Sequence, residues 1–251
     1  MTNMRTTRIF IHNLNITVNE NIELNNETSH YISRVLRLSI GDKIHVFNGQ
    51  NEQEYISQII SISKKNVCIN IIDSMIVKNE SPINISIIQA LSKGDKIDLV
   101  IQKITELGAK KFIPIITDHC DYKISMDRIE KKAQHWRKIA ISATEQSGRI
   151  KLLKIEPVSD LSKCLQNKKN NYFILHPHST NKLKDMINII EESNKKDVSI
   201  IVGPEGGFSS SEIALCNKSN CSDIGLGPRI LRTETAPIVI TSILQSIYGD
   251  F

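Results

Sequence analysis

From residue 83 onward the chain alternates short apolar runs with longer runs of helical period, and this alternation limits the fold more than any other feature. Residues 83–91 read as a buried strand. Residues 95–107 read as a helix with Ile97, Val100, Ile101 and Ile104 on its inner face, stopped at Gly108. A strand is expected at 112–116 and a long helix at 127–146, which carries the single tryptophan, Trp136. Strand-like runs follow at 172–175, 198–202 and 223–224, with helix-like runs at 183–190, 209–218 and 236–248. Ser209 and Glu212 have capping-box spacing at one helix start. Strands and helices in this order build an α/β domain on a mainly parallel sheet covered on both faces.

Two loops in this half are rich in glycine and charge. One is Val202-Gly203-Pro204-Glu205-Gly206-Gly207-Phe208. The other is Leu226-Gly227-Pro228-Arg229-Ile230-Leu231-Arg232-Thr233-Glu234-Thr235-Ala236. Each follows a strand-like run and precedes a helix-like one. Open α/β sheets bind ligands at the carboxyl ends of their strands, so the pair suggests one site built from two loops. Neither the phosphate-cradling Gly-x-x-x-x-Gly-Lys-Ser/Thr nor the dinucleotide Gly-x-Gly-x-x-Gly is present. Packing gives no reason for Arg229, Arg232 and Glu234 to gather beside Gly227 and Pro228.

The first third reads differently. Short apolar or alternating runs at 8–11, 15–24, 43–47, 55–62 and 67–72 predict strands, with Asn48-Gly49 and the 63–66 segment as turns. Several short strands with close turns suggest a small β-barrel. One helix is expected at 27–38, with Ile32, Val35 and Leu36 on its apolar side and His30, Arg34 and Arg37 beside them. A polar connector ending in Ser81-Pro82 separates the two parts, giving expected domains at 1–77 and 78–251.

Composition excludes several classes. The five cysteines are scattered and form no Cys-x-x-Cys pair, which argues against disulfides and a structural zinc site and suits a reducing cytoplasm. No run is long and apolar enough for a signal core or a membrane span. The net charge of +5 suits an anionic partner.

The two glycine loops together resemble the signature of the SPOUT superfamily of methyltransferases. More narrowly, the chain resembles the family that methylates N3 of a uridine in small-subunit (16S) ribosomal RNA. Further segments agree: His30-Tyr31-Ile32-Ser33-Arg34-Val35-Leu36-Arg37, Ser92-Lys93-Gly94-Asp95-Lys96, Glu145-Gln146-Ser147-Gly148-Arg149 and Leu175-His176-Pro177. The resemblance implies a PUA-like β-barrel that docks on RNA, followed by a SPOUT-type parallel sheet tied in a trefoil knot. It implies a cytoplasmic homodimer with each site completed by the partner subunit, S-adenosylmethionine as methyl donor, no metal, and 16S ribosomal RNA as substrate. The assembled small subunit is expected to serve better than naked RNA, because a composite surface would satisfy both domains.

On this chain the donor would lie against Leu175, His176, Pro177, Gly203, Glu205, Gly206, Gly207, Leu226, Gly227, Ile230 and Leu231. Arg232 and Glu234 lead as catalytic residues. Arg232 would stabilise the uracil anion or bind a phosphate; Glu234 would take the N3 proton or orient Arg232. Arg8, His30, Arg34, Arg37, Lys93, Lys96, Arg149 and Arg229 would meet RNA. Two other readings stay open: a related enzyme methylating a 2′-hydroxyl, and a non-catalytic RNA-binding or ribosome-assembly protein.

Overall fold

The computed structural model describes residues 6–12, 16–63, 66–120, 126–166, 170–194 and 196–251. The expected strand start at Asn15 and the lysines of the 63–66 turn lie outside them. The chain divides into two compact units: Met1–Glu80 with Thr144–Leu152, and Ser81–Ala143 with Leu153–Phe251. This division follows Glu80 rather than residue 77, and it gives the first unit a second segment for which the sequence has no local signal.

The first unit holds β1 (Arg8–Phe10), β2 (Asn21–Glu23), β3 (Lys43–Phe47), β4 (Gln53–Ile62) and β5 (Val67–Ile76), in the sheet order β1-β3-β4-β5-β2. β1 runs parallel to β3 and the other pairs are antiparallel. Alternate residues point inward, and Ile9, Ile22, Ile44, Val46, Ile59, Ile69 and Ile71 form one core. The sheet is a pairing path from β1 to β2, and among the described residues no pairing joins those two edges into a closed barrel.

The expected helix at 27–38 is shorter and changes character. It begins as α1 (Asn26–His30), capped by Asn25, whose side chain accepts the Thr28 N–H at 2.8 Å. It continues as one π turn over Tyr31–Val35. Ser29 fastens it to the sheet: its hydroxyl donates to the Leu24 carbonyl at 3.1 Å and accepts from the Val67 N–H at 2.9 Å. Ile32 faces the core, so His30, Arg34 and Arg37 lie in solvent.

The second unit contains β6 (Asn84–Ala90), α2 (Lys96–Glu106), β7 (Lys111–Ile116), α3 (Met126–Ser147), β8 (Lys154–Ile155), β9 (Ser159–Asp160), α4 (Leu161–Cys164), β10 (Asn171–Leu175), α5 (Leu183–Ser193), β11 (Asp197–Val202), α6 (Ser210–Lys218), β12 (Ser222–Ile224) and α7 (Thr235–Tyr248). The last residues of α3 belong to the first unit. Every strand pair is parallel, in the order β12-β10-β11-β6-β7-β8, with β9 also on β7. Successive residues face opposite ways, so two apolar layers result. Ile87, Phe112, Phe173 and Ile200 pack with α2, α3, α5 and α7. Ile88, Ile115, Ile174 and Ile201 pack with α4 and α6. β11 lies between β10 and β6, two strands that precede it in the chain, and β12 adds outside β10.

Candidate active site

Three neighbouring strands, β12, β10 and β11, end side by side at Ile224, Leu175 and Val202. The loops that leave them enclose a cavity of about 640 Å³. Its wall includes Leu175, His176 and Pro177 from the first loop, and Gly203, Glu205, Gly206 and Gly207 from the second. Leu226, Gly227, Ile230 and Leu231 come from the third. Every residue expected to hold the donor is therefore brought to one cavity. Arg229 and Arg232 also line it, as do His178, Phe208, Thr233 and Lys96.

The loops are held by their own backbones. The Gly207 N–H donates to the Pro204 carbonyl at 3.0 Å, closing a tight turn over Glu205 and Gly206. Gly203 is pressed against the Phe208 ring: a Cβ there would lie 2.8 Å from it. Gly207 and Gly227 have φ of +72° and +99°, where side chains are strained, and a Cβ on either would meet no atom within 4 Å. The His176 N–H donates to the Ile224 carbonyl at 3.0 Å, and its ring Nδ1 accepts from the His178 N–H at 3.3 Å.

A buried relay that the sequence did not announce joins the two glycine loops. Gln89, fully buried at the end of β6, donates to the Thr233 carbonyl at 3.0 Å and to its hydroxyl at 3.2 Å. The Thr233 hydroxyl in turn donates to the Gly203 carbonyl at 2.9 Å. The available signal was a lone glutamine inside the apolar run 83–91.

Charge is arranged around the mouth. Lys96 forms an ion pair with Glu205. That bond, with the nearby Lys93, holds the Glu205 carboxyl below the usual carboxylate range. Arg232 reaches outward, its side chain 82% exposed, and its guanidinium lies 3.9 Å from the Glu234 carboxylate. Glu234 stands one step behind the wall, its side chain 14% exposed and its Oε2 buried with no hydrogen-bond partner among the described residues.

Two residues expected to meet RNA have other work. The Arg8 guanidinium pairs with Glu54 at 2.8 Å and caps the end of α3 through the carbonyls of Thr144 and Glu145. Arg149 is buried against Glu80, with nitrogen and oxygen 2.8 Å apart. Both guanidiniums are engaged in ion pairs within the first unit, and the partners lie far away in sequence. His30, Arg34, Arg37, Lys93 and Arg229 are exposed. Among the described residues, no group of three or more His, Cys, Asp or Glu side chains is arranged to hold a metal ion.

A parallel sheet with glycine loops around a cavity at its carboxyl edge defines a class, and residues 79–245 match the family model described as RNA methyltransferase domain. Residues 24–72 match the RNA methyltransferase PUA domain. Ribosomal RNA small subunit methyltransferase E from Buchnera aphidicola (Acyrthosiphon pisum strain) is 36% identical over 99% of this chain and 96% of its own length. The protein of that name from Rickettsia conorii is also 36% identical, over 96% and 95%. The crystal structure of a Neisseria gonorrhoeae protein of that name, bound to S-adenosyl methionine, superposes with a TM-score of 0.88 at 30% identity, covering 98% of this chain and all of that one. The chain belongs to the ribosomal RNA small subunit methyltransferase E family.

Proposed function

We propose that the cavity binds S-adenosylmethionine and that the enzyme methylates N3 of a uridine in 16S ribosomal RNA. The observation that carries this is the convergence of the three strand-end loops on one cavity. Its volume, about 640 Å³, is ordinary for a small-molecule site. The chemistry of the wall fits the donor. Leu175, Leu226 and Leu231 offer apolar surface for a purine ring. Gly207 and Gly227 leave open backbone, without side chains, for a ribose and an amino-acid carboxylate.

The donor supplies a methyl group on a sulfonium, a leaving group that needs no metal. The chain's own residues must do the rest: orient the base, shield it from water, and manage the proton on N3. Arg232 stabilises the uracil anion or a phosphate. Glu234 takes the proton or holds Arg232. Its buried, unpartnered Oε2 suits a carboxylate that awaits a donor. Glu205 is less suited as the base, since its bond to Lys96 lowers its affinity for a proton.

The first unit supplies docking through His30, Arg34 and Arg37, beside the exposed Tyr31 and Val35. Lys93, Lys96 and Arg229 extend the cationic surface at the cavity. We read the chain as a knotted SPOUT enzyme: β11 is inserted between strands already laid down, and α7 packs back against the helical layer of α2. We read it as a cytoplasmic homodimer, supported by the 73% exposed Ile230 on a loop that walls the cavity. The assembled small subunit, which presents one composite surface, is the expected substrate.

The test is incubation with methyl-labelled S-adenosylmethionine and small subunits lacking the native methylation, followed by nucleoside mass spectrometry. Label in 3-methyluridine supports the proposal. Label in a 2′-O-methyl nucleoside, or none despite donor binding, overturns it.

A further inference from the structure

We propose that His119 is a positioning residue for the first glycine loop, acting from outside the cavity. The inference rests on reading that cavity as the methyl-donor site. His119 follows β7, on a segment whose described residues, 117–120, do not line the cavity. Its ring Nδ1 lies 3.1 Å from the Gly206 carbonyl oxygen and 3.2 Å from that of Gly207. Carbonyl oxygens only accept, so Nδ1 carries the proton and is shared between them. The imidazole thus draws two successive carbonyls of the turn toward itself. This fixes two successive peptide planes in a turn whose residues line the cavity.

The same segment is anchored to the loop's far end. The Asp118 carboxylate accepts from the Ser209 hydroxyl at 2.6 Å and from Ser211 at 3.2 Å. The Asp118 N–H donates to Glu212 at 3.0 Å, and Glu212 accepts the Ser209 N–H at 2.8 Å. The loop is therefore gripped at the start of α6 and again at its turn. Space agrees: a Cβ on Gly206 would lie 3.2 Å from the His119 Cβ. A side chain at 206 would crowd His119.

The experiment compares His119→Ala and His119→Asn in the full-length protein, because the asparagine amide places an N–H donor close to the position of Nδ1. Hydrogen–deuterium exchange of the peptide containing 203–209 is measured without any ligand, alongside donor affinity by calorimetry and thermal melting. His119→Ala is expected to speed exchange in the loop and weaken S-adenosylmethionine binding about five- to tenfold, the size of one net hydrogen bond. His119 is exposed, so the melting temperature should stay close to wild type. His119→Asn should restore both readouts. Unchanged exchange in His119→Ala, or equal losses in the two variants, overturns the proposal. Wild-type protein that binds no S-adenosylmethionine would refute the donor reading, while the exchange comparison would still decide the role of His119.

Discussion

The side chain of Gln245 donates to the main-chain carbonyl of Leu107 across 2.7 Å, joining the last helix to the end of α2. The same amide accepts from the Ser81 hydroxyl at 2.6 Å, at the entrance to β6. One buried glutamine thus fastens the last helix of the unit to its first strand and its first helix. Neutral polar groups buried with their partners satisfied are costly to disturb.

Gly108 sits directly beneath that amide. A Cβ there would lie 2.5 Å from the Gln245 nitrogen. Gly108→Ala is therefore expected to destabilise the protein by about 2 kcal/mol, the range for overpacking a filled site. A denaturant melt will show it as a lower midpoint at unchanged slope.

Acid stability should be governed by two buried carboxyls with opposite signs. Burial pushes Glu54 up, but bonds from Arg8 and His45 outweigh it and leave the group below its ordinary 4.5. Its stabilisation is present above that value and is lost as pH falls through the lower folded value. Burial raises Glu145 above 4.5, against the Phe10 N–H and Arg8. Its contribution is full below 4.5 and is lost as pH rises through the raised folded value. Urea melts at about pH 4 and pH 7 should therefore find Glu54→Gln more harmful at neutral pH than in acid. Glu145→Gln should be neutral or stabilising at pH 7, its amide oxygen still accepting from Phe10.

On the proposed reading, in which its exposed guanidinium acts on the nucleic acid, Arg232→Ala is expected to lower kcat by about a hundredfold with little change in donor affinity. Glu234→Gln keeps the shape but removes the charge. An equal fall in kcat would place the proton on Glu234. A smaller fall, with looser RNA binding, would identify it as the holder of Arg232. Single-turnover transfer and RNA titration separate the two outcomes.

Arg37 offers a clean electrostatic test. Its φ of +55° lies in the left-handed region. Arg37→Gly therefore removes the charge while relieving the backbone. Stability should hold or rise, and RNA affinity should fall. The slope of log affinity against log salt should shrink by about 0.7 to 0.9 for one lost phosphate contact. An unchanged slope would remove Arg37 from the RNA surface.

What was legible in the chain was local. Glycine and proline mark the turns, and the apolar runs before them mark strand ends, so the loops that meet at the cavity were readable from the residues that build them. The long helix with Trp136 and the inner face of α2 follow from period alone. Roles set by distant partners were hidden. Arg8 and Arg149 looked like RNA ligands because nothing nearby reveals Glu54 or Glu80. The π turn at 31–35 and the two-residue strands β8 and β9 have no period long enough to see. Gln89 is one polar residue in a strand run, and its partner Thr233 lies too far along the chain for any local pattern to show the pairing.

The segment 144–152 carries a consequence for how this protein is inherited. The chain leaves its first unit, builds part of the second, returns to complete the first, and only then finishes the second. Neither unit is a contiguous cassette. A gene fragment ending near residue 80 encodes a first unit without Arg149, the residue that neutralises its own Glu80. A fragment starting there carries a stretch whose partner Arg8 has been left behind. Recombination at the apparent linker would separate Arg8 and Glu80 from these partners, so each piece would lack contacts that the intact chain supplies.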